Sequence, residues 1–224
     1  MPTVLVIGAS RGIGLEFTRQ YAAAGERVLA THRAPDAAAR LQALGALPLP
    51  LDVLDPAAIA GLGRRLAGEP VDIAVINAGV FGPRTAGIEP PAADEFDLVM
   101  QTNVRAAMQL IPVLADSAAA ARGTIAVLSS RMGSMTLMRS ANGWLYRASK
   151  AALNSVVRSA SIELGTRGIV CIALHPGWVR TDMGGAAADL DVADSVSGLR
   201  RVIAGADASA NGGFFDDKGE RLAW

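Results

Sequence analysis

Two textures of apolar and polar positions alternate along the chain. Short, unbroken apolar runs of strand length occur at residues 3–7, 27–31, 47–51, 71–76, 124–128 and 169–174. Between them, segments 13–24, 35–44, 56–67, 93–119 and 144–164 repeat their apolar residues at helical spacing. A further periodic segment, 192–204, and a short apolar run at 213–215 follow. A strand exposed on one face alternates apolar with polar, whereas a strand covered on both faces reads as continuous apolar sequence. Covered strands alternating with helices predict right-handed βαβ crossovers. The expected fold is α/β: a doubly wound parallel sheet of about seven strands with helices on both faces.

Local punctuation agrees with this division. Gly25 and Gly165 stand where a glycine just past a helix end is expected, and Asp55-Pro56 reads as the cap and first residue of the third helix. Pro112 lies inside segment 93–119 and is expected to kink or divide that helix. Segments 81–92 and 184–191 are rich in Gly, Pro and Ala and follow strand ends. Ligands of open α/β sheets sit beyond the carboxyl ends of the strands, so these loops are candidates for a substrate rim.

Composition narrows the function classes. A chain of 224 residues fits one domain spanning residues 1–224, and 51% apolar residues suffice for a sizeable core. A mean hydropathy of +0.31 is explained by a sheet buried on both faces. Basic and acidic residues balance at 21 each without a block of one sign, which argues against nucleic-acid and membrane-surface partners. Cys171 is the single cysteine, so no intramolecular disulfide forms and a reducing cytoplasm is expected. The first residues carry no basic leader, and no apolar run approaches the ~20 residues of a membrane span.

Candidate chemistry begins at the first strand end. The run 3–7 leads into Gly8-Ala9-Ser10-Arg11-Gly12-Ile13-Gly14 and then a helix. Glycines there let backbone approach a pyrophosphate at a helix N-terminus, where free N–H groups favour an anion. The spacing G-x-x-x-G-x-G is neither the G-x-G-x-x-G fingerprint nor a phosphate loop, and a tight turn without ligand is the bland alternative. At the second strand end, where an acidic residue would bond a ribose 2′-hydroxyl, stand His32 and Arg33. With Arg11 nearby, two guanidinium groups favour a 2′-phosphate, hence NADP(H) over NAD(H), with NAD(H) still possible.

Tyr146 and Lys150 are one helical turn apart and share a face. The chain holds only two lysines and two tyrosines, so a lysine kept among so many arginines suggests work for a compact ammonium. Such a cation beside a phenol lowers its pKa and makes it a usable acid/base. Ser130, just past the run 124–128, is placed to donate to a substrate oxygen; Asn77-Ala78-Gly79 follows another strand end, and Asn103 sits mid-helix, where asparagine is mildly unfavourable. Surface Tyr and Lys, a turn serine and a structural asparagine are the ordinary alternatives for each alone.

Taken together, these residues resemble the short-chain dehydrogenase/reductase superfamily, in its single-domain, Rossmann-like form, over its full length. The match rests on the glycine loop, Leu51-Asp52-Val53, Asn77 to Gly79, Asn103, Ser129-Ser130, Tyr146 to Lys150, and Pro176-Gly177 through Thr181. Tyr146 to Asn154 and the segment from Gly212 to Trp224 are most similar to the C-factor-like branch. The resemblance implies Tyr146 as acid/base, Ser130 on the substrate carbonyl, Lys150 depressing the tyrosine pKa and binding the nicotinamide ribose, and Asn103 anchoring a relay water. It further implies that Asp52 and Val53 frame the adenine, Asn77 to Gly79 back the cofactor, and Pro176 to Thr181 meet the nicotinamide end. A small-molecule carbonyl or alcohol substrate and a homodimer or homotetramer are implied as well.

Two departures concern the substrate. Sixteen positions separate Ser130 from Tyr146, more than in the family's better-known reductases, and the stretch after Thr181 is short. A serine hydrolase using Ser130 and His175 would need a nucleophile elbow around Ser130, and none is present there. An extended epimerase or dehydratase would need a separate substrate domain. The competitor from another class is a cofactor-binding regulator or signalling protein with little turnover, since fold alone does not fix function.

Overall fold

The computed structural model describes residues 1–224. Seven strands form one sheet: β1 (Thr3–Ile7), β2 (Arg27–His32), β3 (Leu47–Pro50), β4 (Ile73–Ile76), β5 (Thr124–Leu128), β6 (Val170–His175) and β7 (Phe214–Asp216). Their order is β3-β2-β1-β4-β5-β6-β7, and every pairing is parallel. Seven helices connect them: α1 (Gly12–Ala23), α2 (Asp36–Ala43), α3 (Pro56–Leu66), α4 (Ala93–Met100), α5 (Ala106–Ala121), α6 (Trp144–Gly165) and α7 (Val192–Ala204). The doubly wound α/β sheet expected from the apolar runs is present.

The continuous apolar runs divide residue by residue between two cores. Leu5 and Ile7 of β1 join Cys171 and Ala173 of β6 on one face, covered by α3, α5 and α6 through Leu62, Leu110 and Val157. Val4, Val6, Ile172 and Leu174 point the other way, where α1, α2 and α7 supply Phe17, Leu41 and Leu199. Strand alternation sends neighbouring residues to opposite faces, and both faces are apolar because both are covered. β3 shows the converse. Its sequence Leu-Pro-Leu-Pro is only partly buried and lies at the sheet edge, where proline's missing N–H costs no ladder bond.

Helix ends follow their local chemistry, with two corrections. The Asp55 carboxylate accepts a 2.8 Å bond from Ala57 N with Pro56 at the first helical position, and Gly25 takes φ 80° after α1. Gly165, in contrast, is the last residue of α6; the left-handed turn is made by Gly168, at φ 77°. The small residue at 165 admits Asn211, whose amide nitrogen would stand 2.7 Å from an added Cβ. Pro112 also fails to divide its helix. α5 runs through it: Pro112 and Met108, whose carbonyl the proline deprives of a helical donor, both lie on the exposed face of the helix. The break falls earlier, at a π-helical turn, Gln101–Arg105, centred on Asn103.

Candidate active site

The strand order reverses between β1 and β4, and the cleft opens beyond their carboxyl ends, at the topological switch point. The glycine loop is built into this crevice by contacts that leave no room for side chains. Gly8 has φ 84°, and a Cβ there would lie 2.9 Å from Ala78 N; a Cβ on Gly14 would strike the Gly8 carbonyl and come within 2.7 Å of Asn77 Nδ2. Asn77 Nδ2 donates to the Gly8 oxygen at 2.8 Å, and Gly8 N donates to Thr31 Oγ1 at 2.9 Å. Asn77 and Thr31 thus clamp the loop from the two neighbouring strands.

The helix that follows begins without a cap. Its N-cap residue is Arg11, which makes no side-chain bond to the first-turn N–H groups, and no acidic residue sits in that turn. An uncapped helix start with a basic neighbour, facing a cleft, has the donor set for a pyrophosphate. At the ribose end, Thr31, His32 and Arg33 at the close of β2 line the same cleft, joined by Arg40 from α2. The His32 ring faces the Ala34 carbonyl at 3.0 Å, and Arg33 is exposed. Across from them Asp52 and Val53 form the floor, with the Asp52 carboxylate turned back onto Leu54 N at 3.0 Å. The residues present therefore fit a dinucleotide, and three arginines fit one with an extra phosphate.

On the catalytic side, α6 carries Tyr146 and Lys150 into the interior, 7% and 4% exposed. The Lys150 ammonium lies 5.7 Å from the Tyr146 ring centre and donates to the Leu128 carbonyl at 2.8 Å. Burial pushes the lysine down to about 8. It pushes the phenol the other way, up to about 12, against a hydrogen bond with Ser130 that pulls it down. The sequence expectation was a phenol lowered by its lysine; in this arrangement desolvation is the larger effect on the phenol. Ser130, at the end of β5, also accepts from Met132 N at 3.1 Å.

Asn103 explains the π-helical turn. Its side chain pairs with both backbone groups of Val80, accepting from the N–H and donating to the carbonyl at 2.8 Å each, and donates to Ser149 Oγ at 2.9 Å. Ser149 in turn donates to the Tyr146 carbonyl at 2.8 Å. A bulged turn aims one side chain away from regular helical geometry, and such turns recur at functional sites. Asn103 here couples the segment after β4 to the helix that carries Tyr146.

The cleft encloses about 510 Å³ and is lined by Gly8, Ser10, Arg11, Gly12, Ile13, Arg33, Asp52, Val53, Asn77 to Gly79, Tyr146, Lys150, Pro176 and Thr181, among others. Gly14, Asn103, Ser130 and Gly177 are not part of this lining, although Ser130 is hydrogen-bonded to the Tyr146 phenol that is. A Cβ on Gly177 would approach Leu190 Cδ2 at 3.0 Å, so this glycine serves the packing of the loop after β6. Thr181 leans on the glycine loop, its methyl 3.5 Å from where a Gly12 Cβ would be, and its hydroxyl accepts from Gly184 N at 3.1 Å. Sequence reasoning missed four participants: Thr31, Arg40, Phe81 and Asp182. Phe81 stacks on Tyr146 with centroids 4.5 Å apart, and Asp182 pairs with Arg11 at 2.6 Å across the cleft mouth. Arg40 had a signal in its place on the helix directly after Arg33, and Phe81 in opening the candidate rim segment 81–92; Thr31 and Asp182 gave none.

Comparison with known proteins decides the family. Residues 2–190 match the short chain dehydrogenase family. The chain belongs to the short-chain dehydrogenase/reductase family. It is 40% identical over 158 residues to C-signal of Myxococcus xanthus, covering 69% of this chain and 93% of that protein. Among solved structures it resembles an NADPH-bound carbonyl reductase from chicken fatty liver (TM-score 0.89, 34% identity, 100% of this chain and 99% of that one). It is equally similar to a carbonyl reductase of Pseudomonas aeruginosa PAO1 in complex with NADP (TM-score 0.89, 35% identity, 100% of both chains). Membership of the short-chain dehydrogenase/reductase family, with NADP-bound neighbours among the solved structures, supports an oxidoreductase. No helix in it is long and apolar enough to cross a membrane.

Proposed function

We propose that this protein is an NADP(H)-preferring reductase of small-molecule carbonyl compounds, with Tyr146 as the proton donor. The observation that carries the proposal is the buried Tyr146/Lys150 pair, 5.7 Å from ring centre to ammonium, opening onto a cleft with an uncapped helix start and Arg11, Arg33 and Arg40. When bound, the dinucleotide supplies a hydride to the carbonyl carbon. The phenol of Tyr146 gives its proton to the carbonyl oxygen, and the Ser130 hydroxyl donates a hydrogen bond to the same oxygen as charge builds on it. Lys150 keeps a positive charge in a dry site beside the phenolate left behind, which opposes the effect of burial until solvent returns the proton. Asn103, through Val80 and Ser149, holds the two walls of the site in register.

Similarity to C-signal favours a second reading, a cofactor-binding signalling protein with little turnover. Titrating the purified protein with NADPH and NADH, then offering aldehydes and ketones to the NADPH complex, separates the two. The reductase reading expects NADPH to bind at least about tenfold more tightly, as one charge-assisted phosphate contact supplies, and to be oxidised by some carbonyl. Tight NADPH binding with no oxidation by any carbonyl would favour the signalling reading.

A further inference from the structure

Positions 146, 150 and 154 stand one helical turn apart on one face of α6, and each bonds to the chain at or just past the end of β5. Tyr146 meets Ser130 through its phenol. Lys150 donates to the Leu128 carbonyl at 2.8 Å. Asn154 makes two bonds, one on each side of Ser130. Its Oδ1 accepts from the Ser129 hydroxyl at 2.5 Å, and its Nδ2 donates to the Gly133 carbonyl at 3.3 Å. Asn154 and Ser129 are both buried, 5% and 3% exposed.

Asparagine is mildly unfavourable inside a helix, so a buried one there reflects bonds made to the rest of the fold. What Asn154 holds is a short turn with little support of its own. Ser130 lies in extended backbone at its start, and a single 3₁₀ turn, Arg131–Gly133, follows. Turns of this kind have poor internal hydrogen-bond geometry. Gly133 brings the turn directly onto α6, since an added Cβ would fall 2.6 Å from the Lys150 carbonyl carbon. On the sheet side, Ser129 N donates to the Leu174 carbonyl at 2.8 Å. Further along, Thr136 N donates to the Trp224 carbonyl at 3.2 Å. The bonds of Asn154 tie both ends of the Ser130 turn to the helix that carries Tyr146.

We propose that Asn154 is a positioning residue, which clamps the turn at Ser129 and Gly133 onto α6 so that the Ser130 hydroxyl and the Tyr146 phenol reach one carbonyl oxygen together. The inference rests on the reductase reading, in which both hydroxyls donate to that oxygen. Asn154 does not line the cleft and acts through Ser130. A donor to a developing charge works only when aimed at the place where that charge appears, and a small misplacement loses much of its effect. The two bonds need the chemistry of an amide, one acceptor for a hydroxyl and one donor for a carbonyl. Leucine has nearly the same shape and supplies neither.

The test is a double-mutant cycle in the NADPH-loaded protein, with 4-nitrobenzaldehyde as the carbonyl. Asn154→Leu should lower kcat about tenfold, a part of the roughly 10²-fold or more that one such donor contributes. In a Ser130→Ala background the same substitution should cost less than about twofold, because the hydroxyl it serves is gone. Ser129→Ala removes one of the two bonds and little volume; it should follow the same pattern with a smaller loss, and it carries the cycle if Asn154→Leu does not fold. An unchanged kcat, or equal losses in both backgrounds, overturns the positioning role. Hydrogen exchange supplies a readout without turnover. The amides of Gly133 and Ser134 are bonded within the turn to the Ser130 and Arg131 carbonyls. In either variant they should exchange about tenfold faster, while amides of β1 and α1 stay within about twofold. That pattern, with no reduction of the aldehyde by the unsubstituted protein, supports the clamp and fails the reductase reading alone. Exchange unchanged in the turn, or raised equally throughout the protein, overturns the clamp whatever the rates.

Discussion

Along β1 and β2 the cleft is shaped by bare backbone: glycines pressed on carbonyls, an open helix start, and arginines that extend into solvent. Along β5 and α6 it is shaped by almost entirely buried side chains, Asn103, Ser130, Tyr146, Ser149 and Lys150, with Asn103 bonded to Ser149, and Ser149 and Lys150 bonded to the backbone carbonyls of Tyr146 and Leu128. The first region is suited to receive a large anion without rearranging its backbone, because its arginines are exposed and the surface pair of Arg11 with Asp182 is weak. The second is suited to do chemistry, because a dry site magnifies each charge and shifts each pKa. Binding and chemistry should therefore be separable by mutation.

Substituting phenylalanine at Tyr146 removes only the hydroxyl, and the ring keeps its stack on Phe81. Turnover should fall by about 10³-fold, as the loss of a positioned acid/base predicts, while NADPH affinity changes less than about threefold. A comparable loss in both quantities would merge the two regions. Gly14→Ala attacks the backbone region, since the added methyl meets the Gly8 carbonyl and Asn77 Nδ2. Overpacking of this kind predicts NADPH affinity weaker by roughly 30-fold, measured by fluorescence titration, with the rate at saturating cofactor largely kept. Arg40→Ala should cost least, about tenfold in NADPH affinity with NADH within twofold. Equal losses for both dinucleotides would show that the arginines do not read the 2′-phosphate.

The backbone region was the more legible in sequence, for a physical reason. Glycine spacing, a strand-to-helix junction and the residue at the end of β2 are local, and their consequences follow from conformational freedom and charge alone. The doubly wound sheet was legible for the same reason, because continuous apolar runs such as 3–7 and 124–128 report burial on both faces. What sequence could not supply was long-range: Asp182 reaching Arg11 across 171 positions, or Phe81 meeting Tyr146. Two local signals also misled, Gly165, which belongs to α6 itself, and Pro112. Pro112 was harmless on a solvent-facing side of α5, while the true irregularity formed at Asn103, whose bonds to Val80 and Ser149 belong to the folded state. The pairing of Tyr146 with Lys150 was visible from spacing, but the weight of desolvation on each was not.

The pH dependence of kcat/KM for carbonyl reduction bears most directly on the central claim, a buried ammonium sustaining a buried phenol as proton donor. This ratio reports the ionisation of the free protein. The Tyr146 phenol, pushed up to about 12, keeps its proton throughout the accessible range, whereas Lys150 loses its charge near 8. The rate is therefore expected to be level at neutral pH and to fall about tenfold per unit once the pH passes about 8. A profile that stays level to pH 10 would contradict the account, because the phenol would then be working without the lysine's charge.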